Sequence, residues 1–162
     1  MKKQVLSVWV ENQAGVLSRV AGLFNEVGFN IDSLAVGVTE RSNVARMTIV
    51  ADGSEEMVEA IISKLTQITS LVKTKKITEG EAVFRELALI MVDAPEARRS
   101  DIINIVEIFR AQIVDVGYCT MTIEVSGDRD KIQALEDLLH PFGIREIVRT
   151  GTIAIDRGVR RP

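Results

Sequence analysis

Residues Glu11-Asn12-Gln13-Ala14-Gly15-Val16-Leu17-Ser18-Arg19, followed by Gly28-Phe29-Asn30-Ile31-Asp32-Ser33-Leu34, decide how this chain is read. The first stretch turns from a strand into an apolar helix through small and amide side chains. The second is a glycine-asparagine turn into another strand. A helix that starts this way presents unpaired backbone N–H groups and the positive end of its dipole, which suit a small carboxylate. Nothing in either stretch can do covalent chemistry, so a binding module is expected rather than an enzyme.

Outward from that stretch, the spacing of apolar residues alternates between two periods. Val5 to Val10 alternates, with Leu6, Val8 and Val10 on one face and Val5, Ser7 and Trp9 on the other. From Gly15 the period becomes helical through Val16, Val20, Phe24 and Val27, and Gly28 falls where a left-handed cap is expected. Strands are predicted over Ile31 to Val38, around Ala45, Met47 and Ile49, and over Leu71 to Ile77. A helix opened by Asp52-Gly53-Ser54 lies before the last of them. After the polar segment Thr78-Glu79-Gly80-Glu81 the order repeats. Strands run over Glu86 to Val92, Ile113 to Tyr118, Met121 to Val125 and Ile144 to Val148. One helix follows Asp93-Ala94-Pro95, and Asp128 opens another. The fold class is therefore α+β, two tandem ferredoxin-like βαββαβ units, each with two helices on one sheet face. Trp9 on the other face implies that this face is covered, by self-association or by packing between the two halves of one chain.

Composition narrows the function classes. The 162 residues are 46% hydrophobic and 27% charged, the balance of a folded chain. A formal charge of -3 and only 4% aromatic residues argue against nucleic acid as partner. No apolar run approaches the roughly 20 residues that span a bilayer. The single cysteine, Cys119, excludes an intramolecular disulfide and a cysteine-based zinc site, and its strand-like surroundings predict a buried packing residue. His140, the only histidine, sits before Pro141 and reads as the end of a helix. Glu55-Glu56 and the Asp128/Asp130 pair fall in first helical turns, where the dipole accounts for them. No catalytic and no metal-binding constellation is expected, and the setting expected is cytoplasmic.

Two readings of the opening stretch stay open on spacing alone. In one, Asn12 starts a turn, Gly15 relieves strain before the helix, and Asn30 follows a cap. In the other, the amides of Gly15, Val16 and Leu17 hold a carboxylate while asparagine carbonyls accept from an ammonium group. Those groups together would recognise a free amino acid.

The segments Glu11 to Arg19, Gly22-Leu23-Phe24 and Gly28 to Leu34 resemble the small regulatory subunit of acetohydroxyacid synthase (acetolactate synthase), an ACT-domain family. Ile108 to Val116, Phe142 to Glu146 and Val148 to Ala154 carry the resemblance through the second half. Val27 and Met91 depart from the family pattern, and neither is among the ligand groups considered above.

The resemblance implies an N-terminal ACT domain, placed here at 1–78, a linker at 79–84, and a C-terminal ferredoxin-like domain with a basic tail at 85–162. It further implies a homodimer through ACT domains and a feedback inhibitor, usually valine, bound between two chains. Asn12, Gly15, Val16 and Leu17 would come from one chain, and Asn30 and Ile31 from its partner. The large catalytic subunit would be the other partner and would carry thiamine diphosphate, Mg²⁺ and FAD, none of which this chain would need. The small subunit would raise the activity of that synthase, which condenses pyruvate to acetolactate, and make it valine-sensitive. A stand-alone amino-acid-sensing ACT protein acting on a different partner is the rival expectation. Arg98-Arg99 and the Arg157–Arg161 tail read either as contacts for the catalytic subunit or as solvated charge clusters.

Overall fold

The computed structural model describes residues 3–158. Their elements follow the two predicted repeats. The first comprises β1 (Lys3–Glu11), α1 (Val16–Val27), β2 (Asn30–Val38), β3 (Val44–Asp52), α2 (Glu55–Leu65) and β4 (Leu71–Ile77). The second comprises β5 (Ala82–Asp93), α3 (Arg99–Ile108), β6 (Gln112–Val116), β7 (Thr120–Gly127), α4 (Arg129–Leu139) and β8 (Ile144–Arg149), and is followed by β9 (Ile153–Asp156). The sheets have matching orders, β2-β3-β1-β4 and β6-β7-β5-β8, with β9 paired to β5. The chain divides into two compact units. One holds the described residues up to Val83 together with those from Thr152 onward, and the other is Phe84–Gly151.

In the first unit the alternation of β1 becomes a two-faced sheet. Leu6, Val8 and Val10 join Met47, Ile49 and Ala51 in a core closed by Val16, Val20 and Phe24 of α1 and Val58, Ile61 and Leu65 of α2. Helix α1 ends as its sequence requires. Gly28 takes φ +79 and donates to Asn25 O, and the next N–H, on Phe29, reaches Phe24 O. The buried ring of Phe29 then sits 5.7 Å from that of Phe24. It also rests directly on Gly53, where an added Cβ would overlap Phe29 Cε1. That close approach is open only to glycine, and it fixes the entry into β2. Helix α2 is capped by Ser54, whose hydroxyl accepts from Met57 N at 3.4 Å, and carries Glu55 and Glu56 in its first turn.

The second unit repeats this logic around Ala88, Ile90 and Val92 of β5, with Ile102, Val106, Ile132, Leu135 and Leu139 from its helices. Asp128 caps α4 by accepting from Lys131 N at 2.9 Å. His140 follows α4 as its C-cap and begins a short 3-10 turn to Phe142. Glu86, buried in β5, faces Arg149 at 3.9 Å, and Arg149 also pairs with Glu136.

Two features differ from the sequence reading, the start of β5 and the exposure of Cys119. Strand β5 begins at Ala82, earlier than the predicted start at Glu86. Cys119 is exposed, not buried, because β6 ends at Val116 and Gly117-Tyr118-Cys119 form the turn into β7. Residues 152–156 group with the first unit. The reason is a set of polar anchors on the sheet face opposite α1 and α2. Thr152 N donates to Ser33 Oγ at 2.9 Å, Arg46 donates to Ala154 O, and Lys75 Nζ pairs with Asp156 at 2.7 Å.

Candidate functional site

The turn Asn12–Gly15 is built by tethers that leave the end of α1 open. The N–H of Asn12 donates to Asn43 O at 2.9 Å, and its side-chain amide nitrogen reaches Ser42 O at 3.4 Å. The oxygen end of that side chain is therefore the end available to a ligand. Gly15 occupies the N-cap of α1 at φ +83, a conformation costly for any residue with a Cβ. Its carbonyl accepts the first helical bond, from Arg19 N at 3.1 Å.

Nothing caps the helix in return. No side chain accepts from its first turn, and that turn carries no acidic residue. Val16 N reaches only Gln13 O, at 3.5 Å. Helices α2 and α4, by contrast, have Ser54 or Asp128 as cap and acids beside it. Val16 is buried beneath the turn, while Leu17 is 42% exposed, an aliphatic surface beside the open amides. Such an end can take the carboxylate of a small molecule and offer its side chain an apolar neighbour.

Asn30 and Ile31 lie at the far end of the same sheet. Asn30 pairs with Asp52, the last residue of β3, whereas Glu11, just before the turn, pairs with Val44, its first. Across the nine residues of β3, that separation is about 26 Å. The chain thus brings Asn12, Gly15, Val16 and Leu17 together and holds Asn30 and Ile31 apart from them. Asn30 is exposed at the start of β2, and Ile31 packs against the core. Directly after Ile31 the β2–β3 register shifts, leaving Asp32 in a bulge. Lys3 bridges Asp32 and Asp52, and these two hydrogen bonds raise its pKa above 10.5. Strand β2 is an edge of its sheet, with Val36 and Val38 exposed.

The opposite face of this sheet, expected to be covered, carries a segment the sequence did not identify. Arg46 stacks over Trp9 at 4.5 Å, donates to Ser7 Oγ at 2.9 Å and takes Ala154 O as a further acceptor. Lys73 approaches the same ring at 5.2 Å. Trp9 had marked the face as covered, but no signal in the sequence named the segment on it.

Arg98 and Arg99 are committed within their own unit. Arg98 lies over Phe142 at 4.2 Å, and Arg99 donates to Ala94 O, Gly117 O and Tyr118 O. Of the tail, Val159–Arg161 lies outside the described residues. Among the described residues no group of three or more His, Cys, Asp or Glu is placed to hold a metal ion, and no helix is long and apolar enough to cross a membrane.

The chain is similar to known proteins along its length. Residues 6–73 match the family described as AHAS small subunit-like ACT domain, and residues 85–158 match that described as small subunit of acetolactate synthase. A probable acetolactate synthase small subunit of Archaeoglobus fulgidus is 48% identical over 159 residues, 98% of this chain and 99% of its own. The acetolactate synthase small subunit of Mycobacterium bovis is 45% identical over 159 residues, 98% of this chain and 95% of its own. The crystal structure of the Thermotoga maritima acetolactate synthase small subunit superposes with a TM-score of 0.92 at 34% identity, covering 99% of this chain and 100% of that one. Fold and relatives together define a regulatory subunit built on an ACT-type domain. The chain belongs to the acetolactate synthase small-subunit family.

Proposed function

We propose that this chain activates the catalytic subunit of acetolactate synthase in branched-chain amino acid biosynthesis and makes it subject to feedback inhibition by valine. The site is shared by two copies of the chain, in the cytoplasm. Thiamine diphosphate, Mg²⁺, FAD and the condensation of pyruvate belong to the catalytic subunit.

The observation that carries this reading is the placement of Asn30. Strand β2 is an open edge whose start is Asn30 and whose end, Val38, lies beside Ala45, near the β3 end that meets Glu11. Antiparallel pairing of two β2 edges about a two-fold axis sets the start of one strand against the end of the other. The partner's Asn30 is thereby carried toward the uncapped end of α1. The amides of Gly15, Val16 and Leu17 then take the carboxylate, and the oxygens of Asn12 and the partner's Asn30 accept from the ammonium. Leu17 and the partner's Ile31 meet the aliphatic side chain.

For a ligand of valine's size such contacts yield roughly 5–8 kcal/mol. That corresponds to dissociation constants of about 1–200 μM, the range of a metabolite sensor. Inhibition follows if valine binds a less active arrangement of the complex more tightly, with a coupling of about 1–3 kcal/mol.

Calorimetric titration of the purified chain with valine, leucine and isoleucine tests this reading, with Asn30→Ala as control. Saturable binding that the variant loses is expected. No binding to the chain alone or to the complex with the catalytic subunit would overturn it. Binding without co-purification of that subunit would favour a stand-alone sensor.

A further inference from the structure

We propose that Thr152–Asp156 is a displaceable strap that relays effector occupancy from β2 to the second unit, through the hydrogen bond from Thr152 N to Ser33 Oγ. The relay rests on the effector reading above, because it requires a ligand at Asn30 and Ile31.

The strap pairs with β5 along its backbone and is anchored to three further strands, each by a polar contact: Ser33 of β2, Arg46 of β3 and Lys75 of β4. Its hydrophobic hold is slight. Ala154 is buried, but Ile153 and Ile155 are 56% and 62% exposed. Arg46 Nε is buried in the docked arrangement with no hydrogen-bond partner, a cost that docking must overcome. Away from its pairing with β5, the segment is held by one exposed ion pair and single hydrogen bonds, with one buried donor unsatisfied, and an element held this way has two accessible states.

Its connections fit a relay at both ends. Ser33 follows the bulge at Asp32, two residues beyond Ile31 and three beyond Asn30, so a shift at the effector residues moves the strap's first anchor. At the other end Thr152 is joined to Gly151, a glycine at φ +80 and the last residue of the second unit. Just before it, Thr150 N donates to Leu87 O at 3.0 Å, and Arg149 binds Glu86 and Glu136. Two consecutive residues, Gly151 and Thr152, thus join the second unit to the strap. Asp156 also titrates in keeping with an anchor. Its hydrogen bond to Lys75 holds the carboxyl below its usual range, helped by Arg46 and Lys73. Docking is therefore retained at neutral pH and weakened only as pH falls through the lowered value.

The test measures amide exchange of residues 152–156 and emission of Trp9, the single tryptophan, in the full chain with and without saturating valine. Inhibition of the reconstituted complex is measured in parallel for wild type and Ser33→Ala. In wild type, valine is expected to change exchange of the strap severalfold and to shift Trp9 emission. Ser33→Ala is expected to bind valine within about twofold of wild type while losing most of the inhibition at saturation. Unchanged strap exchange on valine binding, or full inhibition in Ser33→Ala, overturns the relay and leaves the effector site standing. Absence of valine binding to wild type, alone or in the complex, removes both readings.

Discussion

Asn12 and Asn30, the two asparagines expected to recognise one ligand, stand at opposite ends of a single sheet, separated by the length of β3. One chain cannot close both on one small molecule. Asn30 is also exposed and outside the core cluster, so its truncation carries no packing penalty. Asn30→Ala is expected to keep its unfolding free energy within about 0.5 kcal/mol of wild type. Its valine affinity should fall roughly 10–100-fold, the loss of a hydrogen bond to a charged group. Urea unfolding and calorimetry on the same preparation check both halves.

Gly53 and Phe29 meet at a distance that allows no side chain on the glycine. Gly53→Ala forces the Phe29 ring out of the core beside Phe24, and the residue after Phe29 is Asn30. The variant is expected to lose about 1–3 kcal/mol of stability, the cost of overpacking, with the midpoint of urea unfolding lowered. Gly22→Ala in mid-α1, where an added Cβ meets nothing within 4 Å, should instead be neutral or slightly stabilising.

The two side-chain caps are unequal. Asp128 accepts from Lys131 N at 2.9 Å, whereas Ser54 accepts from Met57 N at 3.4 Å. Asp128→Ala is expected to cost about 1 kcal/mol and Ser54→Ala less, near the lower end of the roughly 0.5–2 kcal/mol seen for lost caps. Paired denaturation curves give the comparison directly. An equal or reversed order would contradict the bond lengths.

Lys3 gives the first unit a dependence on alkaline pH. Its pKa is raised by hydrogen bonds to Asp32 and then Asp52, so its proton is held more tightly in the folded chain. The resulting stabilisation is complete below the ordinary value of 10.5 and is lost as pH rises through the raised one. Lys3→Met is expected to melt below wild type at neutral pH, with the gap closing at strongly alkaline pH. A gap independent of pH would mean that the ion pairs are not its source.

The regular parts of this fold were legible because local chemistry and tertiary packing agree. The stripe Val16, Val20, Phe24 lies in the core, and Gly28 adopts the left-handed cap that its position implies. The open end of α1 was legible for the same reason, since Asn12–Gly15 contains no strong cap to close it. The strap was not. Ile153-Ala154-Ile155 reads as a continuation of the unit before it, and its anchors Ser33, Arg46 and Lys75 are remote in sequence and polar. Cys119 misled because an apolar run hides a turn when glycine is its only marker. The bulge at Asp32 left no trace in the alternation of β2, because that strand is half exposed on both faces.

The central claim, a site shared between two chains, is tested most directly by mixing Asn12→Ala and Asn30→Ala chains, co-refolded in equal amounts and titrated with valine. Each variant alone should bind at least tenfold more weakly than wild type, the loss of about 1.4 kcal/mol or more. In a mixed dimer one site carries both substitutions and the other carries neither. The account predicts recovery of wild-type affinity at about a quarter of the wild-type number of sites, given random pairing about a two-fold axis. Two impaired variants whose mixture recovers no tight sites would place Asn12 and Asn30 in one chain's own site, contradicting both the register of β1, β2 and β3 and the account built on it.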